Sequence, residues 1–374
     1  MKPTNPFLIS GYQGPEYFCD REQETAALIS ALDNGRDLTL TAPRRMGKTG
    51  LILHVFHRLK ERNPDIVTLY MDIFPTRNLG DFVRLLAHTV LGQLDPAPKK
   101  AMNRIGKFIR SCRPVLTFDD LTGAPKVTVD VAPEQEDASL REIFEYLRSA
   151  DRKCVIAIDE FQQIIDYPEA GMEAMLRSCI QFLPNVNFIF AGSRQHLMQE
   201  IFLSSNRPFY QSTQLMNIGP IDRSKYGDFA FRFFDLEGRV LPEETFNGIY
   251  DAFNGHTWYV QNILNRLYGY GTDVDNELVS ESVSQILAES EPFYADLMRA
   301  YPAGGIRLMK AIAREGSVQE ILSGTFIAKY KLKAASSVRS MLRKLIDNEL
   351  VYKTDKGYMI YDRFLAEWLR RQAF

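Results

Sequence analysis

Leu38-Thr-Leu-Thr-Ala-Pro-Arg-Arg-Met-Gly-Lys-Thr49 joins an alternating apolar run to a Gly-containing loop, and an amphipathic segment starting near Gly50 follows it. In a loop of this kind backbone N–H groups wrap a phosphate, a lysine reaches the outer phosphate oxygens, and a hydroxyl holds a divalent cation at a helix N-terminus. Pro43, Arg44, Arg45, Met46, Gly47, Lys48, Thr49 and Gly50 make up the expected cradle. The pattern has glycine at its first position where this chain has Ala42, a place alanine fills when its φ stays negative. The strand before the loop and Leu51-Ile-Leu-His-Val-Phe56 after it supply the context that an isolated Gly-Lys-Thr lacks.

With 374 residues and 45% apolar content, the chain can bury more than one core, and its length fits two or three domains. The net charge of −2 hides an asymmetry. Residues 301–374 hold seven Lys and seven Arg against seven acidic residues, so a basic tail follows an acidic body. Cys19, Cys112, Cys154 and Cys179 have no metal-ligand spacing, and the apolar surroundings of Cys154 and Cys179 suit buried free thiols, so a reduced, cytoplasmic setting is expected. No apolar run approaches the roughly 18 residues of a membrane span, and the first residues lack a signal peptide's apolar centre.

Strand-like runs at 37–42, 66–73, 153–158, 186–191 and 214–218 alternate with helical patterns, which predicts a parallel sheet covered on both faces. Between Lys48 and Asp159 lie more residues than a compact nucleotide fold needs, and two alternating runs at about 114–132 read as an inserted β-hairpin on the sheet's edge. After Pro220 the strands stop. Helical stripes at 224–234, 243–253, 258–268 and 277–288 predict an all-helical domain. From about 293 the order is helix (305–314), helix (325–330), long helix (334–348), two-stranded ribbon (350–361) and closing helix (362–371), the order of a winged helix-turn-helix. The expected domains are therefore 1–218, 219–292 and 293–374.

Val155-Ile-Ala-Ile-Asp-Glu160 ends a buried strand in two carboxylates. Beside a phosphate loop, the first acid holds the metal with Thr49 and the second polarises the attacking water, which assigns Asp159 to the cation and Glu160 to the base. Ser193, at the end of a similar strand, either senses the γ-phosphate or caps the next helix. Arg207 precedes a proline in an extended or turn segment, and is either a trans-acting arginine or a surface residue. Tyr17 and Phe18 either cover an adenine face or pack as a staple. In the basic tail, Lys333, Ser337, Arg339, Arg343 and Lys353 suit phosphate and base-edge contacts with duplex DNA, although an outward helix face is polar in any case and winged helices also dock on proteins.

With those residues in place, the chain resembles the archaeal-type ATPases of the AAA+/STAND division of P-loop NTPases, relatives of the origin-recognition initiators. The resemblance rests on Phe18-Cys-Asp-Arg-Glu-Gln-Glu24 as an N-terminal box, the 42–49 loop as Walker A, Ile158-Asp-Glu-Phe-Gln162 as Walker B and Ala191-Gly-Ser193 as sensor 1. Gly255-His-Thr-Trp-Tyr-Val260 resembles the lid-helix motif, and Tyr361-Asp-Arg-Phe-Leu-Ala-Glu-Trp-Leu369 ends the winged helix. Three positions depart from the family pattern: Ala42, Thr257-Trp258, and Gln211-Ser212 where many relatives carry Gly-Arg, which leaves Arg207 as the substitute arginine. The resemblance implies a doubly wound α/β core, a helical lid and a winged helix, with ATP or ADP and Mg²⁺ as ligands. The expected function is a slow Mg²⁺-dependent ATPase acting as a nucleotide-controlled switch. The alternatives are a DNA-binding initiator-like regulator and a signalling or defence switch that binds a protein partner or forms a homo-oligomer.

Overall fold

Valine, isoleucine, leucine and phenylalanine crowd the runs that become strands, and the computed structural model describes the chain at residues 3–94, 111–118, 125–354 and 356–374. The strands of the first unit, residues 1–226 with His256–Trp258, are β1 (Leu38–Thr41), β2 (Val67–Asp72), β3 (Cys112–Phe118), β4 (Pro125–Val131), β5 (Cys154–Asp159), β6 (Val186–Gly192) and β7 (Gln214–Asn217). Five of them form one sheet in the order β2-β5-β6-β1-β7, and every neighbouring pair is parallel. Each of the five strand runs read from the sequence is present, displaced by at most a residue or so at its ends.

Helices cover both faces, so the inner strands are buried on two sides and read as unbroken apolar runs. On one face α1 (Glu22–Asp33) and α2 (Lys48–Arg62) pack through Leu28, Leu32, Leu51, Val55 and Phe56 against Leu40, Val155, Ala157 and Ile189. On the other, α3 (Leu79–Leu94), α4 (Glu136–Arg148), α5 (Met172–Ile180) and α6 (Gln195–Leu203) enclose Leu69, Ile156, Ile158, Phe188 and Phe190. Because strand side chains alternate, the parity that sends Val155 and Ala157 toward α2 sends Asp159 the same way.

β3 and β4 pair antiparallel from Cys112 opposite Val131 to Phe118 opposite Pro125, and the residues joining them lie outside the described ones. The sequence reading set this pair on the edge of the main sheet. It forms a separate two-stranded sheet instead, its ladder satisfied internally, with β4 running beside α3.

The second unit holds residues 227–255 and 259–374. Its helices come from α7 (Arg223–Leu236), α8 (Glu243–Ala252), α9 (Thr257–Tyr270) and α10 (Asn276–Arg299), followed by α11 (Ala303–Glu315), α12 (Gly324–Lys329), α13 (Ala335–Asp347), the ribbon β8 (Val351–Thr354) and β9 (Gly357–Ile360), and α14 (Arg363–Arg371). The reading ended the fourth of these helices near residue 288, whereas α10 continues through Pro292 to Arg299. Asp275 caps its start by accepting from the Leu278 N–H, and Leu287, Tyr294 and Met298 carry the buried stripe past the proline. That packing outweighs the lost N–H.

The winged helix is fastened to the helices before it. Asp362 caps α14 through the Phe364 and Leu365 N–H groups and also accepts the hydroxyls of Tyr259 at 3.2 Å and Tyr294 at 3.4 Å. The Phe364 ring meets Tyr259 edge-on at 5.0 Å and Phe253 at 5.3 Å. Gly357, with φ of 114°, brings the ribbon so close to Val318 that a Cβ would stand 2.5 Å from its carbonyl group. Among the described residues no helix is long and apolar enough to cross a membrane.

Candidate nucleotide site

The loop after β1 turns through two left-handed residues, Arg45 (φ 64°) and Gly47 (φ 93°), and Ala42 is not among the positive-φ positions, which is the condition under which alanine fits there. Gly47 caps α2, whose first two residues are Lys48 and Thr49. Lys48 is only 6% exposed, and its Nζ donates to the Ala42 carbonyl at 3.2 Å. Burial lowers the pKa of this ammonium, with Glu160 and Asp159 pulling the other way. Two carboxylates more than a hundred positions away in sequence thus share its surroundings.

Asp159, 4% exposed, is held by three donors. Thr49 Oγ1 donates to its Oδ2 at 2.8 Å and Tyr70 OH to the same oxygen at 2.9 Å, while the Glu160 N–H reaches Oδ1 at 3.0 Å. Glu160 follows the strand with φ of 55°, a left-handed turn at a non-glycine residue that re-aims its carboxylate. Its Oε2 accepts from Ser193 Oγ at 2.7 Å and from Gln162 Nε2 at 2.5 Å. Burial acts to raise the Glu160 carboxyl pKa, but the Lys48 ammonium, the two donors and Arg44 outweigh it, so the net shift is downward and the group stays ionised. Asp72, paired in register with Asp159, is shifted up by burial first, opposed by the Phe74 N–H and reinforced by Asp159 and Glu160. The loop and the ends of β1, β5 and β6 therefore place an ammonium, a hydroxyl and two carboxylates together, with Thr49 Oγ1 and Asp159 as the pair able to hold a divalent cation.

The remaining expected residues are placed as follows. Pro43 and Met46 belong to the loop, Pro43 half-buried and Met46 buried, and the Met46 carbonyl accepts from Thr257 Oγ1 at 3.4 Å. Arg45 turns its guanidinium onto Trp258, 4.1 Å from the ring, and its carbonyl accepts the Trp258 N–H at 3.2 Å. Arg44 lies 5.6 Å from the Phe74 ring. Phe18 stacks on His54 at 4.4 Å with Tyr12 edge-on at 5.8 Å, and its ring edge would touch a Cβ added at Gly50 at 3.4 Å. That leaves Phe18 packed at the start of α2, while Tyr17 is half-buried in the short turn Pro15–Tyr17. Arg207 is paired with Glu173 at 2.6 Å and with Glu200. Lys333, Ser337, Arg339, Arg343 and Lys353 are all exposed, along the start and outer face of α13 and on β8. Sequence reasoning missed Tyr70 and Gln162. Each acts through a hydrogen bond to an acid it is not adjacent to in the chain, and only the Gln after the acidic pair left any trace in a motif.

The family described as an ATPase domain predominantly from Archaea matches residues 18–263, and a probable winged helix domain matches 292–371. Among solved structures, a Walker-type ATPase of Pyrococcus abyssi is 20% identical, covers 98% of this chain and 99% of its own, and superposes with a TM-score of 0.66. The ORC2 protein of Aeropyrum pernix in ADPNP and ADP complexes is 14% identical over 97% of this chain and 96% of its own, with a TM-score of 0.58. The ORC1 protein of the same organism in complex with DNA is 13% identical over 95% and 93%, with a TM-score of 0.53. A search of curated proteins finds no match. At these identities the solved structures speak for the fold, an α/β P-loop NTPase core with a C-terminal winged helix, and the match over 18–263 speaks for descent: the chain belongs to the family of ATPase domains found predominantly in Archaea.

Proposed function

We propose that this protein is a slow, Mg²⁺-dependent ATPase whose nucleotide state serves as a switch. Membership of an ATPase family supports ATP as its ligand. The observation that carries the rest is the convergence of Lys48, Thr49, Asp159, Glu160 and Ser193 at one end of the sheet. In this reading Lys48 leaves the Ala42 carbonyl for the β- and γ-phosphate oxygens, and the loop N–H groups of residues 43–50 wrap the β-phosphate. Thr49 and Asp159 hold Mg²⁺, which neutralises charge building on the phosphates. Nucleotide and water oxygens would complete the cation's shell.

Glu160 takes a proton from water as its oxygen attacks the γ-phosphorus, and the bond to the bridging oxygen breaks to leave ADP and phosphate. Ser193 and Gln162 hold that carboxylate, and Lys48 is engaged by its own loop, so each turnover rearranges several bonds. This is the physical argument for slow turnover. Arg207 joins a neighbour's site only by leaving Glu173 and Glu200. Phe18, whose ring lies against Gly50, and Tyr17 beside it would then cover the base. Free Cys154 and Cys179 suit a reducing, cytoplasmic compartment. The test is titration of labelled ATP against wild type and Lys48→Ala, with phosphate release from Glu160→Gln. Binding that survives Lys48→Ala unchanged, or turnover that survives Glu160→Gln, overturns the reading.

A second reading concerns output. The exposed Lys333, Ser337, Arg339, Arg343 and Lys353 and the net positive tail favour duplex DNA as a partner, and a neighbouring fold, ORC1 of Aeropyrum pernix, is known in complex with DNA. Affinity should then fall steeply with salt and drop in Arg339→Ala and Arg343→Ala. Size-exclusion with ATP or ADP, with and without duplex, separates this from a protein-binding or self-associating switch, which changes size with nucleotide and ignores DNA.

A further inference from the structure

Tyr70 sits in mid-β2 on the sheet face that looks toward α2, in register with Ala157 of β5. Asp159 is two residues beyond Ala157 on that same face, a diagonal neighbour within reach of an aromatic side chain. The small methyl of Ala157 leaves the ring room to lie across β5, and the hydroxyl ends 2.9 Å from Asp159 Oδ2. Thr49 Oγ1 donates to that same oxygen at 2.8 Å. A carboxylate oxygen accepts about two hydrogen bonds, so Oδ2 is filled, and Oδ1, which among the described residues takes only the Glu160 N–H, keeps the open acceptor position.

We infer that Tyr70 is the positioning residue of the cation site: it pins Asp159 Oδ2 so that Oδ1 and the Thr49 hydroxyl face the metal. The inference rests on the nucleotide reading above and adds a residue to it. Of the three donors on Asp159, Thr49 stands in the first turn of α2 directly after the phosphate loop, and the Glu160 N–H belongs to a left-handed junction. Tyr70 alone stands within a hydrogen-bonded strand, so it holds the acid while the other two adjust.

The experiment measures the affinity of a fluorescent ADP analogue for the full chain as a function of Mg²⁺, for wild type, Tyr70→Phe, Asp159→Asn and the double variant, with far-ultraviolet circular dichroism to check folding. Tyr70→Phe should raise the Mg²⁺ half-saturation about tenfold to a hundredfold, the worth of one hydrogen bond to a charged group. Affinity in EDTA should stay within about twofold of wild type. In the Asp159→Asn background the Tyr70 change should add nothing, and Mn²⁺ bound with ADP should give a paramagnetic resonance spectrum altered by Tyr70→Phe. An unchanged or lower half-saturation in Tyr70→Phe, or equal losses with and without metal as a packing defect would produce, overturns the assignment. A wild type that binds no nucleotide removes the underlying reading together with it; normal wild-type binding with a silent Tyr70→Phe removes only the role of Tyr70.

Discussion

Ser193 Oγ donates to Glu160 Oε2 across 2.7 Å, which ties the acid at the end of one strand to the hydroxyl at the end of the next. The helix that follows has Arg194 at its cap position with no side-chain cap bond, so the Ser193 hydroxyl serves the expected base and not the helix start. Glu160→Gln should cut phosphate release by about 10²-fold or more while ADP affinity stays near wild type. Ser193→Ala, which frees one of two tethers and leaves Gln162, should change turnover about threefold to tenfold with little change in affinity. Single-turnover phosphate release alongside nucleotide titration separates the two. A loss of binding equal to the loss of turnover in both variants would assign them to the fold instead of the chemistry.

Lys48 is buried with a hydrogen bond to a carbonyl and two carboxylates acting on its charge. Lys48→Met keeps the aliphatic stem and removes the ammonium. Nucleotide affinity should fall about 10²-fold, since the charge-assisted bonds to phosphate go. The nucleotide-free protein should melt no lower than wild type, because taking a charge out of the interior offsets the lost bond. Calorimetry with and without ADP reads both outcomes.

Phe364 is 3% exposed and meets Phe253 and Tyr259. Phe364→Ala should cost about 3–5 kcal/mol, the range for emptying an aromatic site in a core. Denaturant unfolding followed in the second unit measures it, and a loss below about 1 kcal/mol would mean that the winged helix is not anchored through this ring.

His54 has its pKa lowered from 6.5 to about 4, by burial first and then by Arg58 and His57. The neutral ring stacks on Phe18, and its Nδ1 lies 2.9 Å from the Tyr12 hydroxyl. Because the folded pKa is the lower one, the unfolded chain takes the proton first as pH falls. The contribution of neutral His54 is complete above pH 6.5 and declines as pH drops from there toward 4. His54→Phe keeps a ring on Phe18 without a titrating group, so its Tm should fall less than that of wild type over this window. Scanning fluorimetry across a pH series checks it, and parallel curves would contradict the assignment.

The strands were legible because burial on both faces forces unbroken apolar runs at Leu38–Thr41, Cys154–Asp159 and Val186–Gly192. The C-terminal unit was legible for a different reason: α13 and α14 are strongly amphipathic, with Val338, Leu342 and Leu345 on one side and Arg339 and Arg343 on the other. The end of α10 was not, since Pro292 reads as a stop and only Tyr294 and Met298 finding burial lets the helix continue. In the site, Lys48, Thr49, Asp159, Glu160 and Ser193 could be named because loop and strand-end chemistry restricts what can stand there. The expected arginine was less visible: nothing in the order of residues around Arg207 reveals that Glu173 and Glu200 accept from its guanidinium.

Local physics alone settled the alternation of apolar runs with helices, the glycine-lysine-threonine loop at a helix start, and the acids at a strand end, since each is a matter of neighbours within a few positions. Which donor meets which acceptor waited for the folded chain. Tyr70 reaches Asp159 and Arg45 lies over Trp258 through strand register and helix packing that bring together residues more than two hundred positions apart in the second case. A hydrogen bond requires placement within a few tenths of an ångström, and covalent order constrains distance only between near neighbours.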